Sequence, residues 1–231
     1  LLVDPAVSST ADRRTIFEFA AHEIAHQWFG NLVTMQWWDD LWLNEGFAQW
    51  MEHKATDLFN PEWNTWLAAA GGRESALIAD ARSSSHAIVH PFRSGAAAEL
   101  SFDTITYNKG REIIRMFEDY LGADVFRDGI RNYIRQHAYG NTRSADLWDA
   151  LSRASGKPVA GIARDFTQQS GVPLIRVHSS TCDRLRNSTV LMLSQSRFGT
   201  DAISRRARRW QVPVVAAVLG GGEVRGIVSS D

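Results

Sequence analysis

The chain has 231 residues, with 25 Lys+Arg against 26 Asp+Glu and a formal net charge of −1. That balance supplies no bulk attraction to nucleic acid or an anionic membrane, and 44% hydrophobic with 22% charged residues is the composition of a globular chain, not a disordered one. A single cysteine, Cys182, excludes an internal disulfide framework and a zinc site built of thiolates; no apolar run approaches the roughly 18 residues of a membrane span, and nothing at the start resembles a signal peptide.

Helical punctuation dominates residues 1 to about 171. A first helix is predicted from Ala11 to Phe29, with Ser9 or Thr10 as its cap and Gly30 just past its end. A second runs from Asn44 to Leu58. Asn60-Pro61 opens a third, a cap followed by proline at the first helical position, which Gly71-Gly72 weakens or interrupts. Residues 82–102, rich in Ser, Ala and Gly, read as loop. Helices resume at 104–121, 124–137, 144–155 and 158–169, and Gly122, Gly156 and Gly171 end the first, third and fourth of them. After Gly171-Val172-Pro173 the period changes. Short strands are predicted at Leu174–Val177 and Thr189–Ser194, and a hairpin at Gln211–Leu219 and Glu223–Val228 around Gly220-Gly221-Gly222. The predicted fold is therefore mainly α, followed by a partial β-sandwich, with domains at 1–172 and 173–231. The cluster Arg205, Arg206, Arg208 and Arg209 reads as a solvated loop before an anion patch.

Chemistry concentrates in His22-Glu23-Ile24-Ala25-His26. Histidines at i and i+4 share one helical face, so one metal ion can take both imidazoles. Glu23 is rotated about 100° from His22, which suits a carboxylate that flanks a metal and handles water rather than ligating. Random placement of the 7 His and 10 Glu in this chain yields this pattern about 0.01 times. Asp39, Asp40, Glu45 and Glu52 are the acidic candidates for a third ligand. Glu45 opens the next helix, and the helix–loop–helix hairpin brings it back to face His22 and His26. Two His and one Glu form the open, three-ligand arrangement of a catalytic zinc. Its net charge near +1 lowers the pKa of bound water toward about 7 and polarises a carbonyl. Asp40 and Glu52 are both candidates to hold the second nitrogen of a ligand histidine, and the sequence does not choose between them. His53, His86, His90, His137 and His178 lack ligand spacing. Of nine tryptophans, eight precede residue 149; Trp28, Trp37, Trp38, Trp42 and Trp50 are expected to pack around the metal hairpin.

The stretch His22 to Asn31, the eighteen residues between His26 and Glu45, and Trp37-Trp38-Asp39-Asp40-Leu41-Trp42-Leu43-Asn44-Glu45-Gly46-Phe47-Ala48 resemble the aminopeptidase N family of zinc metallopeptidases. Phe102 to Gly110 is similar to the family's Tyr-x-Lys-Gly segment, Phe166 to Pro173 to its exit from the helical region, and Gln195–Phe198 and Trp210–Pro213 to its β-sandwich. The resemblance implies a thermolysin-like catalytic domain and one Zn²⁺ held by His22, His26 and Glu45. Glu23 is then the general base and Tyr107 the donor to the oxyanion, with a phenol of ordinary pKa about 10 staying protonated at neutral pH. The implied substrates are peptides with a free N-terminus.

The family's Gly-x-Met-Glu-Asn strand, whose Glu grips the substrate amine, has no counterpart here, and Leu1-Leu2-Val3-Asp4 resembles what normally follows it. The expectation is a fragment of a longer protein, with the rest of that protein as its partner. As an isolated chain it binds zinc, cleaves aminoacyl substrates poorly and exposes apolar patches. A related endopeptidase, a bifunctional epoxide hydrolase or a non-catalytic scaffold would share the fold; the complete set of ligands, base and Tyr107 favours the aminopeptidase. Compartment, oligomeric state and preferred N-terminal residue are not encoded in any motif of the chain.

Overall fold

The computed structural model describes residues 3–4, 6–183, 188–217 and 222–229. Leu1, Leu2 and the hairpin positions 218–221 named above lie outside the described residues.

Helix α1 (Thr10–Ala25) starts where the sequence places it. The Ser9 hydroxyl accepts the Asp12 N–H at 3.1 Å, and the Asp12 carboxylate accepts the Ser9 N–H at 2.8 Å, a reciprocal cap. It ends four residues earlier than predicted. The Gln27 N–H turns back to the Ile24 carbonyl at 3.0 Å and the Asn31 N–H to that of His26 at 2.9 Å, so the helical register is lost. Gly30 at φ +134 completes the turn in a conformation open to glycine. The chain then enters β1 (Val33–Met35) and α2 (Trp42–Phe59), which begins two residues before its predicted start.

The third predicted helix is divided. A 3₁₀ turn at Pro61–Trp63 is followed by α3 (Thr65–Ala68) and α4 (Ala70–Asp80). The break falls at Asn64, in the left-handed region at φ 48, while Gly71 and Gly72 lie inside the first turn of α4. Residues 82–102 are irregular apart from α5 (Gly95–Ala98) and a 3₁₀ turn at Glu99–Ser101. A π-type turn, Ile105–Lys109, leads into α6 (Gly110–Leu121); α7 (Ala123–His137), β2 (Gly140–Thr142), α8 (Ser144–Ser155) and α9 (Val159–Thr167) follow. Gly122 at φ +87 and Gly156 at φ +65 end α6 and α8 as predicted. Beyond Gly171 the chain is extended. β3 (Pro173–Asp183) pairs antiparallel with β4 (Ser188–Arg197), and β5 (Gln211–Ala217) with β6 (Glu223–Ser229). The architecture is helical with a partial sheet of two antiparallel pairs. The parallel pairing of β1 with β2, Val33 against Gly140, was not anticipated, because three-residue strands carry no readable period. No helix among the described residues is long and apolar enough to cross a membrane.

The core lies between α2 and the amphipathic helices α6 to α9. Phe47, Trp50, Phe117, Phe126, Leu147, Leu151, Ile162 and Phe166 are all buried. Trp42 is fully buried, stacks on Trp148 at 5.4 Å and donates its indole N–H to Ser144 Oγ at 2.9 Å. The expected tryptophan cluster is thus only partly central. Trp42 and Trp50 pack inside, whereas Trp28 and Trp37 are each 47% exposed, because the turn after Ala25 carries Trp28 outward and Trp37 instead donates to the Phe92 carbonyl at 2.9 Å. Phe19 and Ile24 on α1, and Val190 and Met192 on β4, are also exposed.

Two contacts fix the packing near the N-terminus of α6. Gly46 of α2 faces Gly110: a Cβ on Gly46 would stand 3.2 Å from the Gly110 carbonyl carbon and 3.3 Å from its Cα. Nearby, buried Lys109 pairs with buried Asp80 at 2.7 Å and donates to the Gly171 carbonyl at 3.2 Å, while Asp80 accepts the Gly171 N–H at 2.6 Å. Gly171 has φ +92, and a Cβ there would collide with the Arg197 guanidinium. Gly46→Ala should therefore force backbone apart from backbone and lower stability by about 1–3 kcal/mol. A thermal midpoint equal to that of the parent chain would show that this crossing tolerates separation.

Candidate functional site

His22 sits in the last turn of α1 and His26 is its C-terminal cap, still in helical conformation. The i, i+4 spacing sets the two rings edge to face with centroids 4.8 Å apart. α2 packs along α1 and presents Glu45 from its first turn. Glu45 Oε2 lies 3.4 Å from His22 Nε2 and 3.5 Å from His26 Nε2. One ligand atom from each of the three residues lies within 4.8 Å of the other two, the only such grouping of His, Cys, Asp and Glu among the described residues.

The outer nitrogens of both imidazoles are engaged. His22 Nδ1 lies 3.0 Å from Glu52 Oε2, and His26 Nδ1 lies 2.9 Å from the Phe29 carbonyl. With Nδ1 of each ring turned to an acceptor, Nε2 is the nitrogen that each histidine presents to Glu45. Of the two acids left open by the sequence, Glu52 is the one at the site; its spacing of seven from Glu45 puts it two turns along the same face of α2. Asp40 is buried elsewhere and accepts the Ser144 hydroxyl.

Charge at the centre is balanced by these contacts. Burial works against an ionised Glu45, but bonds from His22, His26 and Tyr107 outweigh it and hold the carboxyl at about 2. Burial likewise opposes charge on His22, yet the Glu45 and Glu52 carboxylates raise it to about 9. The Tyr107 phenol is pushed well above its ordinary value by burial, by the Glu45 charge and hydrogen bond, and by the Glu23 charge, so it remains a proton donor. Its ring stacks with that of His22, centroids 6.2 Å apart. Glu23 is exposed on α1. Four of the five residues singled out in the sequence, His22, His26, Glu45 and Tyr107, therefore meet directly, and the charge of the fifth, Glu23, reaches Tyr107.

This donor set fits a divalent zinc ion: two imidazole nitrogens, whose protons the cation would displace, one carboxylate held ionised, and no fourth protein ligand among the described residues. The remaining histidines are occupied otherwise. His53 is buried, faces the Gln49 carbonyl at 2.9 Å and Arg111 Nη1 at 3.1 Å, and is held down at about 4 by burial and by the Arg111 charge. The arginine cluster binds the chain itself, with Arg205 donating to the Gly199 carbonyl and Arg208 to that of Ser170, each at 3.0 Å.

A model of the peptidase family M1 domain matches residues 1–166. Aminopeptidase M1-C of Oryza sativa subsp. japonica is 41% identical over 214 residues, covering 93% of this chain and 24% of that protein. Aminopeptidase 2 of Candida albicans is 42% identical over 199 residues, 86% of this chain and 21% of that protein. Tricorn protease-interacting factor F2 of Thermoplasma volcanium is 40% identical over 205 residues, 87% and 25%. The chain thus spans about a quarter of the length of these relatives.

Replacement of Glu52 by Ala should free the His22 ring and weaken zinc binding by this chain about 10- to 100-fold. Competition against a chromogenic chelator measures it, and unchanged affinity would remove Glu52 from the site.

Proposed function

The chain belongs to peptidase family M1, and on that premise we propose that the protein carrying it is a zinc-dependent aminopeptidase that releases N-terminal residues from peptides. The observation that carries the reading is the convergence of His22, His26 and Glu45 beside Glu23 and Tyr107. His22 and His26 through Nε2, and Glu45 through a carboxylate oxygen, are the residues that would hold the ion. When bound, zinc supplies a Lewis acid that acidifies water and polarises the scissile carbonyl.

The chain's own groups do the rest. Glu23 accepts a proton from the attacking water as its oxygen bonds to the carbonyl carbon. Tyr107 donates a hydrogen bond to the oxyanion that forms on the former carbonyl oxygen; its raised pKa keeps that proton in place at neutral pH. As the C–N bond breaks, Glu23 passes its proton to the leaving amine. Glu52 and the Phe29 carbonyl keep both imidazoles oriented throughout. The names of the relatives, two of them aminopeptidases, support a substrate with a free amino terminus.

In the complete protein that carries this sequence, Glu23→Gln should retain zinc and lose hydrolysis of an aminoacyl-anilide by at least about 10²-fold. Tyr107→Phe should lose about 10²–10³ in kcat. Equal rates for Glu23→Gln and the parent would refute the mechanism. Cleavage of an N-acetylated peptide as fast as the free one would turn the assignment to an endopeptidase.

A further inference from the structure

Tyr107 is useful only if its hydroxyl is held in place, and the turn that carries it is irregular. The Lys109 N–H reaches the Thr104 carbonyl at 3.1 Å, five residues back, and the Gly110 N–H bonds to the carbonyl of Ile105. Such a widened turn is rare, so something outside its own backbone ladder must favour it. Its C-terminal end is tied down by the buried Lys109–Asp80 pair.

The N-terminal end is held by one side chain. Asp103 Oδ1 accepts the N–H groups of Ile105 at 2.9 Å and Thr106 at 3.0 Å, and the Asp103 carbonyl accepts the N–H of Tyr107 itself at 3.0 Å. These are orphan donors of the first turn, satisfied as a cap satisfies them. The other oxygen, Oδ2, lies 2.7 Å from His86 Nε2, and His86 Nδ1 lies 2.8 Å from the Ala87 carbonyl. Both ring nitrogens of His86 therefore face acceptors. Burial opposes an ionised Asp103, but His86 and the two amides hold its carboxyl below the ordinary range. The side chains of His86 and Asp103 remain 28% and 34% exposed. A core role would have buried them.

We propose that Asp103 is a positioning residue for Tyr107, that His86 anchors Asp103, and that together they set the height of the phenolic donor over the site. The proposal rests on the assignment of Tyr107 as the oxyanion donor. A donor displaced by about 1 Å can cost about 10²-fold in rate while leaving substrate binding intact.

The test is a double-mutant cycle in the complete protein, reading kcat, KM and bound zinc with an aminoacyl-anilide. Asp103→Ala should lower kcat about 10- to 100-fold, leave KM and zinc content unchanged, and add nothing in a Tyr107→Phe background. Asp103→Asn, which keeps an acceptor for the two amides, should recover most of the rate. Loss that multiplies with Tyr107→Phe, or that appears in KM or zinc content, would overturn the proposal. If Asp103→Ala does not fold, His86→Ala takes its place in the cycle and must show the same lack of additivity. Full activity of Tyr107→Phe would overturn the reading of Tyr107 and the proposal with it, whereas an impaired Tyr107→Phe beside a fully active Asp103→Ala overturns the proposal alone.

Discussion

A buried carboxylate at the start of α2 organises this molecule. Glu45 is 9% exposed, and a carboxylate so placed is costly unless charge and donors meet it. Here two imidazoles and a phenol do, and each comes from a different constraint. The imidazoles arrive because α1 and α2 pack side by side. The phenol arrives because Gly46 and Gly110 let the backbones of α2 and α6 approach where any Cβ would separate them. With Nδ1 of each histidine engaged by Glu52 or the Phe29 carbonyl, the remaining nitrogens have one direction left, toward Glu45.

The same economy governs the turn bearing Tyr107. A π-type turn has no strong preference for itself, so its geometry is inherited from its ends. Asp103 supplies the acceptors at one end, and Lys109 ties the other to Asp80 and Gly171. Gly171 is also where helix gives way to β3. The junction between the helical part and the strand pairs is thereby linked, through one buried ion pair, to the turn that carries Tyr107. The carbon-free side of Gly171 is filled by the Arg197 guanidinium from β4, which leaves no room for another residue.

Around this centre the two faces of α1 differ sharply. His22 is half-buried where α1 packs on α2, whereas Phe19, Glu23 and Ile24 are exposed. A helix normally owes its stability to burying one apolar stripe. In α1 a reciprocal N-terminal cap and the packing on α2 suffice, and Glu23 is left on an open, partly apolar surface.

Local information in the sequence settled a good deal. A capping serine located the start of α1, and glycines the ends of α6 and α8, because these signals act within one turn. The i, i+4 pair defined two donors, because a single helix dictates their separation. Glu45 was legible because one hairpin returns it to the same place. What lay beyond was decided by packing between distant segments. Asp40 and Glu52 were equivalent as sequence, and the choice fell to Glu52 when Ser144, a partner 104 residues away, claimed Asp40. The pairing of β1 with β2, the outward turn of Trp28, the division of the third helix at Asn64 and the capping of the Tyr107 turn by Asp103 share that origin. Period and propensity describe a residue's own element; which group meets its remaining lone pair or proton depends on elements that only folding brings together.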